Sequence, residues 1–277
     1  MALQPLETGD ILDRAVKLYR DNFAPFLLIV LSVRLPIALL QVAQIYFLYA
    51  AGLGQFRRLS PEDLTKLDMT ALSASLVIGL VTVLPAWIGS VLSSGALIWA
   101  ASQRYFGQPA SFGQAYRAAW SRIWDLLLIS LLWGLVISVA SMFCLVPGIV
   151  LAVWFCFYFP VVMLERLGAV DTLGRSKSLV DGHWWRVAWP LEGLAVMAFV
   201  APALVIAMPL SYVCERWLSR FITLAAAGGL AQFIYQLALI VLAPIMLCGL
   251  VVLYYDRRVR REGMDLELRA QEMAASA

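Results

Sequence analysis

The chain has 277 residues, 62% of them hydrophobic and 14% charged, with a mean hydropathy of +0.82. Soluble domains carry about 45–50% apolar and about 25% charged residues, so most of this surface is expected to face lipid. The net charge is +3 and no Lys/Arg cluster interleaves with aromatic residues in a polar domain, which argues against a nucleic-acid partner.

The apolar runs are continuous rather than alternating, as in Val241–Tyr255, and favour membrane helices over the strands of a barrel. In chain order, Thr8–Asn22 reads as an amphipathic helix with Thr8 as N-cap. Ile11, Leu12, Ala15, Val16, Leu18 and Tyr19 form its apolar side, and Asp10, Asp13, Arg14, Lys17, Arg20 and Asp21 its polar side. A helix of this kind lies in the membrane interface. The acidic Glu7, Asp10 and Asp13 and the long run that follows are unlike a cleavable signal peptide, so this segment is expected to be retained.

The first span covers about Phe23–Ala50, with Pro36 as a possible kink point. Gly52–Ser73 is a polar loop with a helix start at Ser60-Pro61. The second span covers about Ala74–Gln103, bent or broken near Pro85, and its Gly79, Gly89 and Gly95 suit close helix packing. Arg104–Ile123 is polar, and the third span follows at about Trp124–Leu145. Val146-Pro147-Gly148 forms a turn, and the fourth span, about Ile149–Leu164, is interrupted at Pro160. A polar stretch, Asp171–Arg186, holds the chain's one histidine, His183. The fifth span covers about Val187–Val213, with Pro190, Pro202 and Pro209, and a short loop, Cys214–Phe221, follows it. The sixth covers about Gly228–Tyr255, ahead of a polar, partly helical tail, Asp256–Ala277. The expected fold is all-α: one integral membrane domain with six transmembrane helices.

Six spans put both termini on one side. Most of the 21 Lys and Arg side chains fall in the segments on that side, against Arg57, Arg58, Lys66, Arg216 and Arg220 on the other. The positive-inside rule then places both termini in the cytoplasm and the chain in a plasma membrane.

The segments before the spans resemble one another. With Asp171–Trp184 set over Asp10–Phe23, Leu173 falls on Leu12, Arg175 on Arg14, Leu179 on Leu18, His183 on Asn22 and Trp184 on Phe23. Ser111–Trp124 matches more loosely. Gly107, Gly168 and Gly263 follow the even-numbered spans. The chain therefore reads as three pseudo-repeats of interfacial helix plus helical hairpin, at about 8–107, 108–168 and 169–263.

Several blocks resemble a bacterial family named for the membrane domain of glycerophosphoryl diester phosphodiesterase. They are Thr8–Phe23, Leu145-Val-Pro-Gly148, the Pro160…Glu165 segment, the Arg175–Arg186 segment and Tyr254–Glu267. The resemblance spans nearly the whole chain and implies the membrane part only. In the namesake architecture a separate soluble barrel carries the catalysis, and that barrel is not expected here.

No catalytic constellation is evident. One histidine and isolated cysteines (Cys144, Cys156, Cys214, Cys248) do not supply a zinc site, and neither GxxxxGK[ST] nor GxGxxG occurs. No catalytic residue, metal or cofactor is therefore expected. Buried free thiols are the expected state of the cysteines, with a Cys144–Cys214 disulfide as the alternative. The unusual residues are charges inside spans. Arg34 lies about 11 residues into the first helix, and Glu192 lies within the fifth. Two readings stand side by side: an ion pair that fixes the packing, or a polar cavity that meets an anionic headgroup or solute. Arg14, Lys17, Arg20, Arg175, Lys177 and Arg186 sit where lipid phosphates lie, each with about 1 kcal/mol to gain from anionic headgroups. The expected function is a non-enzymatic scaffold, adaptor or regulatory partner of another membrane protein. The alternative is a transporter or lipid-handling protein built around Arg34 and Glu192.

Overall fold

A computed structural model describes residues 6–51, 68–220 and 223–263. Its helices are α1 (Thr8–Asp21), α2 (Phe23–Ala50), α3 (Met69–Tyr105), α4 (Phe112–Trp120), α5 (Ile123–Phe143), α6 (Leu145–Glu165), α7 (Ala169–Val180), α8 (Trp184–Cys214) and α9 (Leu224–Glu262). No strand occurs among the described residues. Six helices, α2, α3, α5, α6, α8 and α9, are long and apolar enough to cross a membrane, and the protein is an all-α polytopic membrane protein. The short helices α1, α4 and α7 each precede two of these spans.

Helix ends follow local capping chemistry, and several differ from expectation. Thr8 is the first helical residue of α1. The cap is Glu7, whose N–H donates to the Asp10 carboxylate at 3.2 Å in a capping box. The α3 helix starts five residues earlier than expected, at Met69, because the Asp68 carboxylate accepts the N–H groups of Thr70 and Ala71 at 2.9 and 3.1 Å. The helix start expected at Ser60-Pro61 lies outside the described residues. Helix α9 continues seven residues past Tyr255 to Glu262, and Gly263 ends it at φ 64°. Gly107 plays the same part after α3 at φ 74°. The turn expected at Gly168 is made instead by Arg166, at φ 58°, while Gly168 caps α7 in extended conformation. None of the four cysteines is joined in a disulfide, with Cys144 exposed and Cys214 buried, so the disulfide alternative does not hold.

The chain divides into two compact units. The first comprises Met1–Ile29, Val91–Val196 and Pro244–Ala277. Its core contains Phe26, Leu97, Ile98, Leu126, Phe157, Leu194 and Leu253, all fully buried. Helix α1 docks on α8, with Ile11, Ala15 and Tyr19 buried and Leu12 seated against Gly193. Burial pushes the Tyr19 phenol up to about 12, with Cys248 adding to the effect. Polar ties run between elements of this unit. The Tyr116 hydroxyl donates to the Ile29 carbonyl at 2.7 Å, and the Ser102 and Tyr255 hydroxyls share a hydrogen bond of 2.7 Å. The outer face of α5 stays apolar and exposed at Leu128, Leu131, Leu135 and Val139, as lipid contact requires. Trp120, Trp124, Trp185 and Trp189 are also exposed, which suits side chains at the headgroup level.

Helix α6 shows how a broken span is made tolerable. Proline lacks an N–H, and its ring crowds the carbonyl four residues earlier. Pro160 accordingly ends the regular helix upstream of itself, at Trp154, and a π-helical turn, Val161–Glu165, follows. The freed backbone groups need partners away from water. The buried Ser176 hydroxyl on α7 supplies both: it donates to the Trp154 carbonyl at 2.9 Å and accepts from the Phe157 N–H at 3.1 Å. Ser176→Ala leaves both unpaired and is expected to cost about 2 kcal/mol, read as a lower unfolding midpoint in detergent. Ser176→Thr should retain most of the stability, and an unchanged midpoint for the alanine variant contradicts the assignment.

The second unit comprises Val30–Ser90 and Met197–Ala243. It is built from the remaining lengths of α2, α3, α8 and α9. Pro36 and Pro85 lie within helices that run on through them, whereas Pro202 separates two π-helical turns, Val196–Val200 and Ala203–Ala207. Glycines set two close approaches. Val33 covers Gly89, and a Cβ on Gly229 would meet Val42 at 3.4 Å.

Candidate functional site: a tied charge network and an amide groove

The charges of the first unit are concentrated where α6, α7 and α9 meet. Glu165, at the end of α6, accepts from Arg175 Nε at 2.7 Å and from the Tyr254 hydroxyl at 2.7 Å. The same Arg175 reaches Glu262 at 2.5 Å, and Arg258 Nε also reaches Glu262, at 3.0 Å. Hydrogen bonds donated to Glu262 and then to Glu165 hold the Arg175 guanidinium above its ordinary range, so it stays charged at any pH the protein meets. A second tie joins the start of the chain to α9. Asp256, 6% exposed, accepts the Leu6 N–H at 2.8 Å and Arg260 Nε at 3.0 Å, while Arg260 Nη2 donates to the Leu6 carbonyl at 2.6 Å. Arg257, 1% exposed, donates from Nε to the Leu179 carbonyl at 3.1 Å, at the end of α7.

These ties change the reading of the basic residues expected at lipid phosphates. Arg175 is not turned outward, because its guanidinium is committed to two carboxylates. Arg14 is half-buried beside the Tyr105 hydroxyl. Lys17, Arg20, Lys177 and Arg186 are exposed, with Lys177 4.9 Å from the Trp154 ring centre. His183 is exposed at the start of α8. Arg34 is half-buried on α2 and belongs to the second unit, whereas Glu192 is exposed on α8 and belongs to the first. Their pairing is therefore not a property of either unit. Among the described residues, no group of three or more His, Cys, Asp or Glu is placed to hold a metal ion.

The second unit holds a polar feature that the sequence reading passes over. Gln41 and Gln44 lie three residues apart on α2, and with Gly79, Thr82 and Ala86 of α3 they line a groove of about 600 Å³. Leu76, Leu80 and Val83 complete its rim and are exposed, so the groove opens on the surface that lipid covers. The Gln236 amide on α9 donates to the Gln41 side-chain oxygen. The Ser75 hydroxyl donates to the Gln44 carbonyl at 3.2 Å, and the Gln44 amide lies over Gly79, where a Cβ would come within 2.6 Å of its Nε2. The Gln44 side chain itself has no hydrogen-bond partner among the described residues. The available signal was two glutamines at helical spacing inside an apolar run, since such amides are costly in hydrocarbon without a partner.

The chain matches no family model, no curated protein and no solved structure.

Proposed function

We propose that the protein is a non-enzymatic membrane adaptor that holds a transmembrane helix of another membrane protein. The amide groove carries this reading. The groove leaves room for a helix beside the small Ala86, and the Gln41 and Gln44 amides offer hydrogen bonds at spanning depth. The use of charge in the first unit supports it. Arg175 fastens α6, α7 and α9 through Glu165 and Glu262, and Asp256 and Arg260 hold Leu6 against α9, which suits a rigid frame. The lysine and arginine asymmetry favours a plasma membrane with both termini in the cytoplasm. The succession of short helix and two spans supports three pseudo-repeats. The blocks Thr8–Phe23 and Tyr254–Glu267 support kinship with the membrane-domain family named for glycerophosphoryl diester phosphodiesterase, and with it a bacterial inner membrane.

Gly79→Val tests the adaptor reading with little threat to the fold, because the atom it displaces is the mobile end of Gln44. The protein is purified from native membranes in mild detergent, and the membrane proteins that accompany it in stoichiometric amount are identified by mass spectrometry. A partner retained by the wild type and lost with Gly79→Val is the expected result. Turnover of a lipid that depends on residues of this chain overturns the proposal.

A second reading is a transporter or lipid-handling protein built around Arg34. It is favoured by the half-buried Arg34 guanidinium in a spanning helix, a charge that calls for an anion or water. Arg34→Leu should then abolish lipid or solute binding and leave the fold intact.

A further inference from the structure

We propose that the outer face of α8 docks a transmembrane helix of another protein, one that carries a lysine or arginine opposite Glu192. Among the described residues, the six spans hold five carboxylates. Four are met by a basic side chain: Asp125 by Arg122 at 3.0 Å, Glu165 and Glu262 by Arg175, and Asp256 by Arg260 at 3.0 Å. Glu192 is the fifth. It is exposed, and it has neither an ion-pair nor a hydrogen-bond partner among the described residues. A charge inside a span is costly in hydrocarbon and is ordinarily matched, so this one calls for a cation from outside the chain.

The surroundings of Glu192 suit a neighbouring helix. Helical phase sets Trp185, Trp189, Glu192 and Val196 in one row, and all four are exposed. The opposite row, Val187, Pro190 and Leu194, is buried. The Trp185 and Trp189 rings stack with 5.8 Å between centres. They give the aliphatic stem of a lysine or arginine an aromatic wall to lie along. Depth chooses among the occupants. Exposed indoles mark the headgroup level, and Glu192 lies three residues beyond Trp189, about 4.5 Å further into the span. The ammonium of an ethanolamine lipid stays at the level of the indoles, whereas a basic side chain on a neighbouring helix can meet a carboxylate below them. A second copy of this chain does not offer that cation. Arg34, its own cation well inside a span, shares an α2 face with the buried Val30 and Ala38. The occupant is therefore a different membrane protein. The face belongs to the first unit, uses no residue of the amide groove and stands whether or not the groove holds a helix.

The test uses the full-length protein in phosphatidylcholine vesicles, with a dye on the exposed Cys144. The probe is a labelled leucine–alanine transmembrane peptide flanked by tryptophans, with one lysine a turn inside one end. Its control has leucine at that place, and energy transfer reports association. The lysine peptide is expected to associate about tenfold more tightly than the control. Glu192→Gln should bring the two peptides within about twofold of each other, while Gly79→Val keeps the full preference. Glu192→Lys should instead prefer a peptide with glutamate in place of the lysine. The comparison of two peptides on wild-type protein holds even where a variant folds poorly. No preference for the lysine peptide, or a preference that survives Glu192→Gln, overturns the proposal. Retention of phosphatidylethanolamine through Glu192 in native mass spectrometry, without a lysine preference, assigns the face to a lipid headgroup and also overturns it. So does self-association of the wild type that Glu192→Gln abolishes, which assigns the face to a second copy.

Discussion

Arg175→Leu is expected to be among the most destabilising single substitutions in the first unit. Arg175 bridges Glu165 at 2.7 Å and Glu262 at 2.5 Å, and so joins α6, α7 and α9. The three side chains retain 27%, 14% and 26% of their exposure, which places them between a surface pair and a sealed one. Surface pairs contribute at most about 1 kcal/mol, and breaking a buried pair costs about 3–5 kcal/mol. An intermediate loss of about 2 kcal/mol follows, mostly from two carboxylates left without their cation. Arg175→Lys restores the charge, but a single ammonium cannot present a fork to both carboxylates, so it should recover only part of the loss. Denaturant titration in detergent measures all three proteins. Equal stability of the leucine variant and the wild type would show that the network is not a structural tie.

The second large effect is expected at Gly249. A Cβ built there would overlap the Cγ and both methyl groups of Leu194, which is fully buried. Helices α8 and α9 touch at this point because α9 has no side chain there. Gly249→Val should force them apart and cost about 1–3 kcal/mol by overpacking. Leu194→Ala alone should also destabilise, by opening a cavity. Combined, the two should compensate, so the double variant is expected to be more stable than the sum of single effects predicts. Strict additivity would mean that the two side chains do not meet.

The six spans were legible because membrane depth imposes a length of continuous apolar sequence, and no local chemistry can disguise it. Boundaries were less legible, since they depend on single hydrogen bonds. Asp68 starts α3 earlier than composition suggests, and Arg166 takes the left-handed turn that Gly168 was expected to make. The break at Pro160 could be read directly, but its repair could not. Ser176 lies 22 residues from the carbonyl it satisfies, and only the fold brings the two together. The basic residues show the same limit. Arg175 and Lys177 are two residues apart in one polar stretch, yet the first is drawn into an ion-pair network and the second faces outward. Helical phase decides between them, and phase against a partner helix is a tertiary fact. The glutamines of the groove carry no charge and hardly perturb a hydropathy profile, whereas the charges of Arg34 and Glu192 stand out in it.

Site-specific photo-cross-linking in native membranes tests the adaptor role most directly. A photoreactive residue at Ala86 reports on the groove, and one at Leu135 reports on the exposed face of α5. A discrete protein adduct at Ala86, absent at Leu135 and lost when Gly79→Val is added, is the predicted result. Lipid adducts alone at both positions would contradict it.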